Sequence, residues 1–269
     1  MKQKYHLLLN LFIMAVIGIT SNNAFCEESI FIGAGAGLKT ALDPVAKSFT
    51  EKTGIKVNCS YLCSAMVLTN LQLTRHGDLF LSGSEHFMEI AINKKIVDPT
   101  TIQSVGYMIP CIAVSKGNPL GIHSLEDLIR PIKVGVGEPD ALAVGKLTVQ
   151  MLENIGIYEK VQKNIVYTAG GARKLALTTA FGNIDAAINW IPVMKQFHDK
   201  SEIIMIADQN LMYTVAPIAV TTFSKKRLKA LEFINFCTSG DGTEIFQKFG
   251  YNAYFNPDKV TKVNNIMDY

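Results

Sequence analysis

Short apolar runs alternate with helical patterns along almost the whole chain. Helical spacing is clearest in Leu38–Lys52 and Ala143–Asn154, where apolar residues recur at intervals of three and four. The β-like runs are Ser29–Gly33, Ile55–Ser60, Asp78–Ser82, Tyr107–Ser115, Ile132–Val136, Asn164–Thr168, Ala186–Trp190, Glu202–Ala207 and Thr214–Thr222. Strands that alternate with helices at this spacing predict βαβ units, and therefore an α/β fold with mainly parallel sheets flanked by helices.

Two of the predicted strands, Tyr107–Ser115 and Thr214–Thr222, are long and apolar. We interpret them as crossings between two lobes. Residues 27–110 and 215–269 then form lobe I, and residues 111–214 form lobe II. Pro44 lies inside the first predicted helix, which indicates a kink or a tighter first turn there.

The first 26 residues have the pattern of a secretory signal peptide. Lys2 and Lys4 precede the apolar run Leu7–Ile19, and small or polar residues follow. The run is too short to span a bilayer stably. This pattern predicts cleavage after Cys26 and export to the periplasm. Cys26 also raises the alternative of a lipid anchor, which the bulky Phe25 before it disfavours.

Charge and cysteine spacing narrow the class of partner. Loss of residues 1–26 lowers the formal charge from +3 to +1, because this segment holds two lysines and no acidic residue. A charge this small argues against a nucleic-acid partner. The remaining cysteines, Cys59, Cys63, Cys111 and Cys237, match no zinc spacing, and their pairing stays open. We expect no metal and no cofactor.

The stretch GAGAGLKT, residues 33–40, follows the first predicted strand and opens a helix. A phosphate-binding P-loop requires lysine directly after the last glycine, but Leu38 separates Gly37 from Lys39. A dinucleotide site requires G-x-G-x-x-G, which is also absent. What remains is a set of bare backbone amides at a helix N-terminus, where the helix dipole favours an anion.

The same arrangement recurs after three later strands, at Tyr61–Ala65, Ala141–Gly145 and Thr168–Arg173. Ligands of open α/β sheets bind beyond the carboxyl ends of the strands. Four such turns therefore predict one cleft that holds a small anion mainly by backbone amides. The Ser64 hydroxyl and the Arg173 guanidinium are the candidate side-chain donors.

Several stretches together resemble the periplasmic molybdate-binding proteins over nearly all of the mature chain. The stretches are GAGAGLKTALDPVAKSFTEKTGIKV, CSAM, GDLFLSGSEHFMEIAINKKIVD, AVSKGNP, SLEDL, VGVGEPDALAVG, GGARKLALTTAFGNIDAAINW and EIFQKFGY. The resemblance implies a type II solute-binding fold, with two α/β lobes joined by two crossing strands. It also implies a monomer that closes on an oxyanion such as molybdate or tungstate and delivers it to an ABC permease.

Carried onto this chain, the resemblance adds site residues and departures. Ser64 retains the family's second-turn serine, whereas Gly37 stands where a serine is usual and Trp190 where a tyrosine reaches the oxyanion. Leu142 replaces a metal-shell carboxylate of tungstate-binding relatives. The predicted ligand-binding residues are Gly35, Ala36, Gly37, Cys63, Ser64, Val144, Gly171, Ala172, Arg173 and Trp190.

Trp190 and the stretch GGARKL also resemble a related branch, the accessory colonisation factors, and this leaves two alternatives open. One is a larger anion, such as citrate or a phosphorylated three-carbon acid, for which Arg173 would supply bidentate donors. The other is a colonisation or adhesin protein on the same scaffold. An enzyme is disfavoured because none of the four turns contains a histidine to act as a general base.

Overall fold

The computed structural model describes residues 28–251 and the backbone of residues 261–262. The predicted signal peptide, with Cys26, lies outside the described residues. The strands are β1 (Ser29–Gly35), β2 (Lys56–Leu62), β3 (Leu79–Leu81), β4 (Gln103–Met108), β5 (Pro110–Ser115), β6 (Val134–Gly137), β7 (Ile165–Ala169), β8 (Ala186–Trp190), β9 (Ser201–Ile204), β10 (Met212–Val220) and β11 (Thr261–Lys262). The α-helices are α1 (Lys39–Thr53), α2 (Ser64–Thr74), α3 (Glu85–Asn93), α4 (Ala143–Asn154), α5 (Tyr158–Gln162), α6 (Ala172–Ala180), α7 (Ile191–Met194), α8 (Arg227–Cys237) and α9 (Gly240–Lys248).

The strands form two mixed sheets. One has the order β11–β10–β3–β1–β2, with β4 also paired to β10, and the other has the order β7–β6–β8–β5–β9. Parallel pairing joins β1 to β2 and β3, and β6 to β7 and β8. In contrast, β10 runs antiparallel to β3 and β4, and β5 runs antiparallel to β8 and β9. The α/β class is as predicted, but the sheets are less parallel than expected.

Every antiparallel pair of the two sheets contains β5 or β10, the strands at which the chain enters one sheet from the other. A strand that arrives from the other sheet follows no crossover helix within its own sheet, so nothing imposes a parallel direction on it. The predicted strand Tyr107–Ser115 is in fact two strands, β4 in the first sheet and β5 in the second. The break falls at Ile109, just before Pro110, which has no N–H to donate to a ladder.

One continuous apolar cluster includes residues of both sheets, among them Ile32 in β1 and Ile188 in β8. This shared packing holds the strand ends of the two sheets beside each other. A 3₁₀ turn, Ala36–Leu38, leads into α1, and Pro44 lies within the helix, six residues beyond that turn. No helix in residues 28–251 combines the length and apolar character needed to cross a bilayer.

Candidate functional site

The four predicted strand-to-helix turns meet around one cavity of about 200 Å³. We call it the anion cavity. Elements of both sheets contribute to it, because the turns after β1 and β2 lie opposite those after β6 and β7. The lining residues are Gly35, Ala36, Gly37, Leu38, Cys63, Ser64, Gly83, Phe87, Met108, Ala141, Leu142, Ala143, Val144, Gly170, Gly171, Ala172 and Trp190.

Three α-helices begin at the cavity wall, and their first-turn amides have no acceptor within the helix. In α2 the first intrahelical bond runs from Val67 N–H to the Cys63 carbonyl at 3.0 Å. In α4 it runs from Lys146 to Leu142 at 3.1 Å, and α6 begins in the same way at Gly171. The amides that precede these donors are the ones an anion uses at a helix N-terminus.

Ser64 is the side-chain donor best placed for an anion. Ser64 is 9% exposed, and its Oγ accepts a hydrogen bond from Gly83 N–H at 3.1 Å. Because the oxygen already has this donor, the hydroxyl hydrogen remains for a ligand. A Cβ at Gly35 would lie 3.0 Å from Ser64 Oγ and 3.2 Å from Gly83 N. The missing side chain of Gly35 thus allows this approach.

Asn189 connects two walls of the cavity. It is fully buried at the end of β8, where its Nδ2 donates to the Ala172 carbonyl at 2.9 Å and its Oδ1 accepts from Trp190 N–H at 2.8 Å. The first bond fixes the start of α6, and the second fixes the backbone of Trp190. Trp190 is 4% exposed, lines the cavity and is the only tryptophan of the chain.

The turn at Gly37 is held from the far end of the described chain. The Tyr251 hydroxyl donates to the Gly37 carbonyl at 2.6 Å, and its fully buried ring packs edge-on against Phe246. Burial raises the pKa of Tyr251 above its ordinary value, so the hydroxyl keeps its proton and remains a donor. A Cβ at Gly37 would meet Met108 Cε at 3.8 Å and Val193 Cγ2 at 3.9 Å, which are ordinary contacts.

The structure brings nine of the ten predicted residues to the cavity wall; Arg173 is the exception. Its side chain is exposed, donates from Nη1 to Gln196 Oε1 at 2.7 Å and lies over the Phe197 ring. The guanidinium therefore belongs to the outer face of α6, although the backbone amide of Arg173 is still in the first turn of the helix.

The sequence reasoning missed several residues that shape the cavity. Gly83 comes from a fifth turn, between β3 and α3, and Phe87 from the first turn of α3; the sequence SGSEH at this junction has the same small-residue signature as the other four turns. Asn189 had a signal as well, because it is the one polar residue of the strand AAINW. Tyr251 had none, since nothing in its local sequence indicates a contact with Gly37.

Backbone hydrogen-bond donors at helix N-termini dominate the chemistry of the cavity. None of the described residues that line it carries a charged side chain, so amides and dipoles supply its positive potential. Within residues 28–251, no group of histidine, cysteine and acidic residues is arranged to hold a metal ion.

Comparison with known proteins agrees with this geometry. The model of a family described as bacterial extracellular solute-binding protein matches residues 30–252. The chain belongs to this family. It is accordingly a solute-binding protein and not an enzyme, and the resemblance to such proteins inferred from sequence is confirmed.

Individual relatives of this solute-binding protein are distant but match over nearly their full length. A "putative binding protein" of Haemophilus influenzae is 27% identical, over 82% of this chain and 90% of its own. The molybdate-binding protein ModA of Escherichia coli is 23% identical, over 90% and 97%. The L-phospholactate-bound crystal structure of PEB3, a Campylobacter jejuni protein, superposes with a TM-score of 0.70 at 24% identity, covering 82% and 98%. Such superpositions confirm the predicted type II fold.

Proposed function

We propose that this protein captures a small oxyanion of the molybdate or tungstate type in the anion cavity and delivers it to an ABC permease. In this proposal the protein is a periplasmic monomer. Its lobes are residues 27–110 with 215–269, and residues 111–214. They close on the ligand by a hinge motion of the segments that pass between the sheets, and the ligand stabilises the closed state.

The observation that carries the proposal is the convergence of four strand-to-helix turns on a cavity without charged lining residues. Amides aimed from several directions suit a ligand whose charge is spread over several oxygens, because each oxygen then meets its own donor. A planar or singly charged solute would leave part of this donor set unused.

The energetics are adequate for a transport receptor. About five to seven hydrogen bonds to an anion contribute roughly 8–20 kcal/mol, and association with lobe closure costs roughly 4–15 kcal/mol. Micromolar to nanomolar affinity is therefore attainable without a metal ligand or a cationic side chain in the cavity.

A second candidate ligand is an organic anion that places one phosphate or carboxylate group in the same cavity. Two features favour it. Gly37 has no hydroxyl to contribute, and the indole of Trp190 gives the cavity wall a different shape from that of a tyrosine at this position. PEB3, named above with L-phospholactate, supports this candidate, as ModA supports molybdate.

The test is a ligand panel on the mature protein: molybdate, tungstate, sulfate, phosphate, citrate and 3-phosphoglycerate. Trp190 fluorescence reports binding at a single site, and a ligand at a hundred times its Kd adds about 2.7 kcal/mol of stability, which raises Tm by about 5–11 °C. Ser64→Ala should weaken the bound anion about tenfold, and Ser239→Ala, at an exposed serine, should not. A panel in which no anion changes either signal would refute the proposal.

Gly37→Ser should strengthen the binding of inorganic oxyanions. The φ angle of Gly37 is not in the left-handed region and its Cβ position has only ordinary contacts, so a serine fits there. The added hydroxyl supplies one more donor to a charged ligand, and we expect a Kd about tenfold lower for molybdate. Isothermal titration with Gly37→Ala as control separates the hydroxyl from the added methylene; equal effects of the two variants would contradict the role of the hydroxyl.

Cys63 should be protected from alkylation by bound anion. It lines the anion cavity, whereas Cys111 and Cys237 are fully buried, and burial raises the pKa of both buried thiols. We expect iodoacetamide to label Cys63 in the free protein and to label it several-fold more slowly with saturating ligand, as read by mass spectrometry. Cys59, half-buried on β2 outside the cavity, is the internal control, since its labelling rate should not change.

A further inference from the structure

A second cavity, of about 390 Å³, adjoins the anion cavity. It lies between the start of α3, which packs against β10 of the first sheet, and α4, which packs against β6 and β8 of the second. Of the residues that the structure describes, three line both cavities: Phe87, Leu142 and Ala143. These three residues form the boundary between the two cavities, and Phe87 and Leu142 supply its large side chains.

The two cavities differ in polarity. No described residue with a charged side chain lines the anion cavity, whereas Asp140, Lys146 and Glu153 line the second cavity. Asp140 and Glu153 are exposed, so solvent reaches the second cavity from their side. Water beside a bound anion competes for its donors and raises the local dielectric constant, which weakens each hydrogen bond. The boundary thus separates a hydrated compartment from one whose amide donors bind an anion more strongly without water.

Phe87 is fixed to the first sheet. It is 7% exposed and belongs to an apolar cluster with Val67 of α2 and Phe80 of β3. The imidazole of His86 lies edge-on to its ring, with 5.1 Å between the ring centroids. A side chain packed in this way cannot swing out of the boundary by itself, because its neighbours leave no free volume. Phe87 therefore moves together with α3.

Leu142 is fixed to the second sheet. It is the N-cap of α4, where its N–H donates to the Glu138 carbonyl at 2.8 Å and its carbonyl accepts from Lys146 N–H at 3.1 Å. Glu138 N–H in turn donates to the carbonyl of Ala169, at the end of β7, at 2.9 Å. Because the two large side chains of the boundary are held by different sheets, a change in the distance between the sheets moves them relative to each other.

We propose that Phe87 and Leu142 form an apolar gate through which anions exchange between the anion cavity and the second cavity. The gate closes when the two lobes approach each other and opens when they separate. In its closed state it keeps the water of the second cavity away from the bound anion, so its main effect is on the dissociation rate. The gate rests on the proposed function, because it requires an anion in the anion cavity and the hinge motion of the lobes.

The experiment measures ligand exchange in Leu142→Ala by stopped-flow fluorescence of Trp190, with molybdate, phosphate and citrate as probes. This truncation removes one side of the gate and retains the backbone bonds at the position. We expect the dissociation rate constant of the bound probe to rise about tenfold and the association rate constant to change less than about threefold. Acrylamide should also quench Trp190 several-fold more strongly in the saturated variant than in the saturated wild-type protein, because Trp190 lines the anion cavity.

Met108→Ala is the matched control. Met108 is 1% exposed and lines the anion cavity but not the second cavity, so its truncation removes apolar wall without opening the boundary. We expect acrylamide quenching of this variant, once saturated, to equal that of the wild-type protein. Phe87→Leu tests the other side of the gate. It keeps an apolar side chain in the buried cluster, and we expect the dissociation rate constant to rise about threefold.

The gate is overturned if Leu142→Ala leaves the dissociation rate and acrylamide quenching unchanged, or if Met108→Ala raises both as much as Leu142→Ala does. The proposed function survives either result, provided that one of the three probes binds the wild-type protein and Ser64→Ala weakens it. If none of the probes binds, both proposals fail.

Discussion

Gly145→Ala should destabilise the protein by about 3 kcal/mol and weaken anion binding at the same time. A Cβ at this position would lie 2.3 Å from the Gly137 carbonyl oxygen, 2.6 Å from the Gly137 carbonyl carbon and 2.8 Å from the carbonyl carbon of Glu138. All three atoms belong to the backbone at the end of β6, so no side chain can rotate away. The start of α4 must move off the strand, and Val144 with it.

The measurement is urea unfolding together with the Kd of the anion that the panel identifies. Gly242→Ala is the matched control, because its Cβ would lie 2.0 Å from the Phe236 carbonyl oxygen in a contact between α8 and α9, outside the cavity wall. We expect both variants to lose stability, and only Gly145→Ala to lose affinity in its folded fraction. Unchanged affinity in Gly145→Ala would show that the turn before α4 donates no hydrogen bond to the anion.

Asn189→Leu should have an effect of similar size, for a different reason. The substitution keeps the branched shape of the side chain and its number of non-hydrogen atoms, but it removes the donor to the Ala172 carbonyl and the acceptor of Trp190 N–H. Two buried backbone groups left without partners cost about 2–5 kcal/mol in the free energy of unfolding. Because Ala172 and Trp190 both line the cavity, we also expect about a tenfold rise in the Kd of the anion.

Asn189→Asp distinguishes the two bonds of this side chain. It retains an acceptor for Trp190 N–H but cannot donate to the Ala172 carbonyl, so its loss of stability should at least equal that of one unpaired carbonyl. Asn70→Leu, at an exposed position of α2, is the control for the change in side-chain type. Equal urea midpoints for Asn70→Leu and Asn189→Leu would contradict the role assigned to Asn189.

The elements and the cavity turns could be predicted because both depend on local sequence. The β8 strand and the α4 helix occur at the predicted bounds, since their apolar spacing and their flanking residues agree. The turns carry small residues between a strand and a helix, and parallel strands place such turns along one edge. Nine predicted residues therefore meet at one cavity without any of them having a distinctive side chain.

What the sequence could not supply depends on orientation and on distant contacts. Arg173 is in the expected turn, but the direction of its side chain depends on Gln196 and Phe197, two residues that follow α7. The break of Tyr107–Ser115 into β4 and β5 depends on where two sheets begin, which an uninterrupted apolar run does not reveal. Likewise, a cavity of about 390 Å³ between α3 and α4 exists only because the two helices approach each other across the sheets.

The bond between Tyr251 and Gly37 joins positions 214 residues apart, so the glycine turn depends on a residue at the other end of the fold. In chain order the glycine turn is among the first parts of the fold, but the residue that holds it follows α9. β10, which connects β3 to β4, is also late. A chain that lacks the segment after β10 therefore has an incomplete anion cavity. We therefore expect the protein to bind its ligand only after α8 and α9 have packed and Tyr251 has reached Gly37.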